Sequence, residues 1–303
     1  MSILRSRDPR FDALFAEDAA FETLAEGFAF TEGATWHPLG EHVTFTDIPN
    51  SRIHRWFQGS GDTVVLRAPS GMTNGTTYDR EGRLLMCEHA TSQVTRLEAD
   101  GSVTVLADRW QGGELNSPND IVVDDSGAIW FTDPLYGREA ETGVTREPGQ
   151  PFRGVYRIAP DGTLHLVADD FDAPNGLCFS PDRTRLYVND SKRKHIRVFA
   201  VDGQGGATGG EVFAETRDDD GTLGRGSPDG MKVDAVGNVW CAGQGGIHVF
   251  DQGGALLGVL LTPQFPANFC FGGPDLLTLF VCAGTTFVRL PLRQAGHPIF
   301  TPR

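Results

Sequence analysis

Six residues, Glu32, Asn74, Asn119, Asn175, Asp229 and Asn268, recur along the 303-residue chain at intervals of 39 to 56 residues, and glycine follows four of them. Together they supply two carboxylates and four carboxamides, with no thiolate or imidazole. Oxygen donors of this kind suit a hard divalent cation, calcium above all, with magnesium, manganese or zinc as alternatives. A single Asn-Gly or Asp-Gly pair more often caps a turn. Six oxygen-bearing residues at one position of a repeat favour convergence on a common ligand, while a calcium that only locks the fold is the plainer alternative.

Convergence requires a repeating architecture. The segments that open at these residues share a pattern, illustrated by NDIVVDDSGAIWFTD from Asn119 and NGLCFSPDRTRLYVND from Asn175. A polar residue leads into a short apolar strand, a turn of Asp, Pro or Gly, and a second apolar strand. Third strands follow at 53–56, 94–97, 155–158 and 196–199, and a fourth is visible at 103–106. Repeats of ~40–50 residues with four antiparallel strands describe propeller blades. The chain is therefore read as all-β: a six-bladed β-propeller with four-stranded antiparallel blades, one domain spanning 1–303. Residues 21–30 are expected to supply a strand that closes the last blade. Residues 1–20 form an N-terminal extension with a short helix expected within 11–20. Since side chains alternate along strands, equivalent positions lie at equal heights around the axis, and the six opening residues become neighbours at one mouth of the channel.

Composition limits the partners. There are 26 Lys+Arg against 40 Asp+Glu, a formal charge of −14, and no basic run longer than Lys192-Arg193-Lys194, so nucleic acid is disfavoured. No apolar stretch reaches the ~18 residues of a membrane span, and the first ten residues lack the apolar core of a signal peptide. A cytoplasmic protein without nucleic-acid or membrane partners is expected, and a homodimer is compatible with the sequence. The five cysteines form no C-x-x-C pair and read as buried thiols. The 38 glycines put that residue well above its ~7% average, consistent with many tight turns between strands.

Other residues are candidates for supporting roles. Asp47, Glu88, Asp133 and Asp190 follow the opening residues by 14 or 15 positions and read mainly as turn caps. His89, next to Glu88, is placed to face a substrate. The long segment 134–154 carries Tyr136, Arg138, Arg146 and Arg153 and has the length of a lid or binding loop. The stretch 216–227 leads into Asp229 and either flanks the site or moves freely. No Gly-x-Ser-x-Gly elbow supports serine hydrolysis. The Gly-rich run 203–210 lacks the Gly-Lys-Ser/Thr ending of a phosphate loop and reads as a hairpin.

Four motifs in order, Thr31-Glu32-Gly33-Ala34-Thr35-Trp36, Ser117-Pro118-Asn119-Asp120, Pro174-Asn175-Gly176-Leu177 and Ser227-Pro228-Asp229-Gly230-Met231, give the chain a resemblance to the senescence-marker-protein/gluconolactonase family of six-bladed, regucalcin-like sugar lactonases and related phosphotriesterases. The resemblance spans nearly the whole chain. It implies a divalent metal, commonly calcium, held by Glu32, Asn175 and Asp229, often with Asn119, and it implies that Asp229 doubles as the catalytic carboxylate. One position departs from the pattern: animal members carry an arginine for a sugar hydroxyl where this chain has Ser117. The expected reaction is metal-dependent hydrolysis of a small sugar lactone, with the metal polarising the carbonyl and Asp229 acting as general base, direct nucleophilic attack by Asp229 being the alternative. Asn74, Asn268, Ser117, His89 and Tyr136 are the candidate substrate contacts. The alternatives are a calcium-dependent phosphotriesterase of the same fold and a non-catalytic, calcium-stabilised binding scaffold.

Overall fold

Short runs rich in β-branched and aromatic residues, broken by Gly- and Asp-containing turns, fold into consecutive antiparallel strands. The computed structural model describes residues 2–217, 223 and 226–299. The first blade runs Thr31–His37, His42–Asp47, Arg52–Phe57 and Thr63–Arg67 from axis to rim, and the second runs Thr73–Tyr78, Leu84–Glu88, Gln93–Leu97 and Val103–Ala107. The third and fourth blades begin at Ile121–Val123 and Pro174–Phe179, the fifth at Met231–Val233 and the sixth at Pro266–Gly272. The architecture is thus the six-bladed propeller anticipated from the repeat. Glu22–Glu26 pairs with Thr286–Pro291 and completes the sixth blade, so the first and last parts of the chain close the ring together. The Gly-rich run lies at the outer hairpin between His195–Val201 and Ala207–Glu215. Among the described residues no helix is long and apolar enough to cross a membrane.

One strand was not anticipated. Leu4–Ser6 pairs with Leu256–Leu261 and gives the fifth blade a fifth strand. Beside it lies one α-helical turn, Pro9–Asp12, the only α-helix among the described residues; it begins two residues before the expected helical segment and overlaps it only at 11–12, so most of 11–20 is not helical. Its position follows local chemistry: Asp8 caps it by accepting from the Arg10 amide at 2.9 Å, and Pro9 occupies the first turn, where its missing N–H costs nothing. The turn is held by Phe11, Leu14 and Phe15, which bury against the Trp240 side of the fifth blade. Fully burying a side chain of this size stabilises by roughly 1.5–3 kcal/mol.

The blades meet through aromatic seams. Trp36 stacks on Phe280 at 5.9 Å and Phe45 on Phe287 at 4.4 Å, joining the first blade to the sixth. All five cysteines are buried and unpaired within this packing.

The innermost strands carry the feature that matters for function. Their pairing register breaks between Glu32 and Thr35, between Thr73 and Thr76, between Pro174 and Leu177, and between Pro266 and Asn268. Such bulges re-aim side chains, and here they fall on four of the six opening residues. The other two, Asn119 and Asp229, stand just ahead of their strands, tied by their amides to Thr132 O at 2.8 Å and Ala242 O at 2.9 Å. The glycines that follow let adjacent blades approach. A Cβ on Gly176 would collide with the carbonyl oxygen of Asp229, and one on Gly33, at φ +63°, with that of Asn74. Gly176→Ala is therefore expected to cost about 1–3 kcal/mol, lowering Tm by several degrees in a thermal melt, and to displace Asp229. An unchanged Tm would show that the two blades can part at no cost.

Candidate functional site

Five of the six opening residues converge on one cavity. A cavity of about 480 Å³ at one mouth of the channel is lined by Glu32, Asn74, His89, Asn119, Tyr136, Asn175 and Asp229, together with Ser191 and a few apolar side chains. Seven of the nine sequence candidates thus share one cavity. Asn268 and Ser117 do not line it. Asn268 lies behind Glu32, donating from Nδ2 to Glu32 Oε2 at 2.9 Å while its Oδ1 accepts from Lys232 Nζ at 3.2 Å and from the Phe269 amide at 2.8 Å. Ser117 is fully buried; its hydroxyl donates to Pro134 O at 2.7 Å and accepts from the Gly137 amide at 3.0 Å, which fixes the start of the long loop.

Glu32 and Asp229 meet at the cavity floor. Burial raises the pKa of both carboxyls, each further through the charge of neighbouring acids: Asp120 for Glu32, and Glu32 then Asp120 for Asp229. A hydrogen bond links the two carboxyls, and Asn175 adds one to Asp229. Like charges this close cannot both ionise without a counter-charge, so the pair shares a proton or takes a cation. The donor set of Glu32, Asp229, Asn119 and Asn175, all hard oxygens lining one space, fits a divalent cation such as calcium. Asn175 is steadied by donating to Ser191 Oγ at 3.1 Å, and Ser191 in turn donates to Pro228 O at 2.5 Å and shares a hydrogen bond with the Tyr136 phenol. Burial pushes the Tyr136 pKa up to about 12, so the phenol stays protonated at the rim.

The second acidic set does structural work. Asp47 accepts from the amides of Ala29 and Phe30, Asp133 from those of Asn116 and Ser117 at 2.8 and 2.7 Å, and Asp190 from those of Asp172 and Ala173 at 2.7 and 3.2 Å. Each carboxylate pins the chain just before an opening residue. Glu88 differs, holding Arg67 at 3.2 Å and Thr95 at 3.0 Å.

Segment 134–154 folds over the cavity. A 3-10 turn at Tyr136–Arg138 brings Tyr136 inward, while the buried Arg138 donates to Asn116 O at 2.8 Å and Leu115 O at 2.6 Å. Arg146 grips Ala90 O and His89 O at 3.0 and 3.2 Å. Of the stretch 216–227, Gly226 and Ser227 line the cavity, whereas 218–222 and 224–225 lie outside the described residues.

Two channel residues escaped sequence reasoning. Lys232 sits beneath the carboxyl pair, and Asp120 is buried with its Oδ2 unpartnered. The charges of both act on Glu32 in opposite senses. Position within the repeat was the available signal: Asp120 follows an opening residue and Lys232 lies on the innermost strand after Asp229. At the opposite end, His297, Pro298 and Ile299 close the channel over a gap of about 40 Å³.

The chain is similar to known proteins in sequence and in fold. The sequence profile of the SMP-30/Gluconolactonase/LRE-like region matches residues 30–285. A gluconolactonase of Zymomonas mobilis is 31% identical over 306 residues, covering 95% of this chain and 85% of that protein. A pentonolactonase of Haloferax volcanii is 30% identical, covering 82% and 80%. The solved structure of a gluconolactonase from Xanthomonas campestris superposes with a TM-score of 0.88 at 35% identity, covering 96% of this chain and 95% of that one. By profile, sequence and structure alike, the chain belongs to the SMP-30/gluconolactonase/LRE-like family, and its enzyme class at that level is lactonase.

Proposed function

We propose that the protein hydrolyses a sugar lactone to its hydroxy acid with the help of a divalent cation, calcium being the best match, held by Glu32, Asn119, Asn175 and Asp229. The observation that carries this reading is the carboxyl pair at the floor of a cavity of about 480 Å³, a size typical of small-molecule sites, whose largely apolar wall is broken by a few convergent polar groups. The gluconolactonase and pentonolactonase relatives support the substrate class.

When bound, the cation supplies positive charge that polarises the lactone carbonyl. Asp229, ionised beside that charge, takes a proton from the attacking water as the new carbon–oxygen bond forms. The ring carbon–oxygen bond then breaks, and the departing oxygen leaves as an alcohol after receiving a proton. The Tyr136 phenol, protonated at neutral pH and donating to Ser191 Oγ, presents its oxygen as an acceptor for a substrate hydroxyl at the rim, and Asn74 and His89 line the wall that orients it. Asn268 and Ser117 serve substrate binding at one remove, through Glu32 and the covering loop.

The test is hydrolysis of a panel of γ- and δ-lactones of sugars by metal-stripped protein, with calcium, magnesium, manganese or zinc restored singly, beside a panel of phosphotriesters. Cation-dependent lactone turnover is expected. Turnover confined to phosphotriesters, or tight calcium binding with no turnover of either class, would overturn the reading.

A further inference from the structure

Asn74 is the opening residue of the second blade, and its side chain is in an unusual position. It is 6% exposed, it lines the cavity, and its Oδ1 is buried without a hydrogen-bond partner. A buried carbonyl oxygen left unpaired costs free energy, and native proteins keep such groups for a reason. Which end of the carboxamide faces the cavity is decided by its neighbour. Asn74 Nδ2 lies 3.3 Å from His89 Nε2, and His89 Nδ1 lies 2.8 Å from the Thr142 carbonyl oxygen. A carbonyl accepts only, so Nδ1 carries a proton. Burial lowers the His89 pKa to about 4, so the ring is neutral near pH 7 and Nε2 is an acceptor. An acceptor at Nε2 draws the Asn74 NH₂ toward itself and leaves Oδ1 as the end of the carboxamide without a partner.

The Thr142 carbonyl belongs to the covering segment 134–154, and it is placed by that segment's own bonds. Thr142 Oγ1 donates to Tyr136 O at 2.8 Å, and Val144 N to Gly137 O at 2.9 Å. Arg146 clasps the His89 carbonyl from the other side. The chain of contacts therefore runs from the loop to the imidazole to the carboxamide.

Resting on the lactonase reading above, we propose that His89 is a positioning residue which, anchored by the Thr142 carbonyl of the covering loop, fixes the Asn74 carboxamide with its oxygen toward the cavity as an acceptor for a substrate hydroxyl. The site thereby selects polyhydroxylated lactones over unsubstituted ones. A lactone without that hydroxyl leaves Asn74 Oδ1 desolvated and unpaired, which is how a built hydrogen-bonding site rejects the analogue that lacks the partner.

The test compares glucono-δ-lactone with δ-valerolactone, which has the same ring and no hydroxyls, in wild type, Asn74→Ala, His89→Leu, His89→Gln and the Asn74→Ala/His89→Leu double variant, all loaded with calcium. The ratio of kcat/KM for the hydroxylated over the bare lactone is expected to fall about 10–100-fold in Asn74→Ala and in His89→Leu, chiefly through KM. The double variant should lose no more than either single one, because both remove the same contact. Glutamine at 89 can donate to Thr142 O and accept from Asn74, so His89→Gln should recover most of the ratio.

Calorimetric binding of D-gluconate against 5-hydroxypentanoate reads the same contact without turnover. A ratio unmoved by His89→Leu, or additive losses in the double variant, would overturn the relay while leaving lactone hydrolysis standing. Absence of turnover on either lactone by the wild type, with gluconate still preferred in a His89-dependent way, would overturn the lactonase reading and keep the relay.

Discussion

Asp229→Asn is expected to lower kcat for lactone hydrolysis by about 10³-fold, with the metal-free fold no less stable than the wild type. The size of the loss follows from removing the one cavity carboxylate assigned to take the proton from water, an effect worth about 10²–10⁴ in rate. Stability is spared for an electrostatic reason. Burial and the charges of Glu32 and Asp120 already raise the Asp229 pKa well above the carboxylate range, so ionised Asp229 is a strained state that the uncharged amide avoids. Glu32→Gln provides the contrast. It removes an ionic ligand but not the base, so its activity should return toward the wild-type value at high calcium, whereas Asp229→Asn should stay inactive at any calcium concentration. Rates measured across a calcium titration, with a thermal melt of each metal-free variant, decide the matter. A loss under tenfold in Asp229→Asn at saturating calcium would assign the proton transfer elsewhere.

The parts of this site that were legible in the sequence are those that repetition enforces. Glu32, Asn74, Asn119, Asn175 and Asp229 could be placed together because each opens a copy of one pattern and a propeller turns equal register into equal height. The ring closure by Glu22–Glu26 was legible because an apolar segment ahead of the first repeat had to pair with something. What lay outside the repeat was harder to read. Leu4–Ser6 carries too few apolar residues to announce a strand, and it becomes one only because Leu256–Leu261 offers an open edge. Ser117 and Asn268 were expected to contact substrate from their position in the repeat, but the side-chain direction that sends one to the loop and the other behind Glu32 is set by bulges and turn geometry, which residue type does not encode. Lys232 is a similar case. A lysine on an inner strand reads as a solvated residue until the channel, with Asn268 and the acids around it, is assembled.

Calcium affinity is expected to rise about tenfold per pH unit across the mildly acidic range, with one proton released per ion bound, and to level off above the raised carboxyl values. The pKa of Glu32 and that of Asp229 are both raised, first by burial and then by each other or Asp120, so the metal-free pair holds a proton that an entering cation must displace. The sign for stability follows from the same shifts. Because the folded values lie above those of the unfolded chain, these groups favour the metal-free fold fully below the unfolded carboxylate range, and that contribution is lost as pH rises through the raised values. Bound calcium reverses the trend, since ionised carboxyls bind it better, so the gain in Tm on adding calcium should widen as pH increases. Lys232 opposes proton uptake by Glu32 and Asp120, and Lys232→Met should therefore move the whole window to higher pH. Calorimetric titration at several pH values in two buffers of different ionisation enthalpy measures the affinity and the proton count together. Binding that is independent of pH and releases no proton would mean that Glu32 and Asp229 do not hold the ion as a coupled pair.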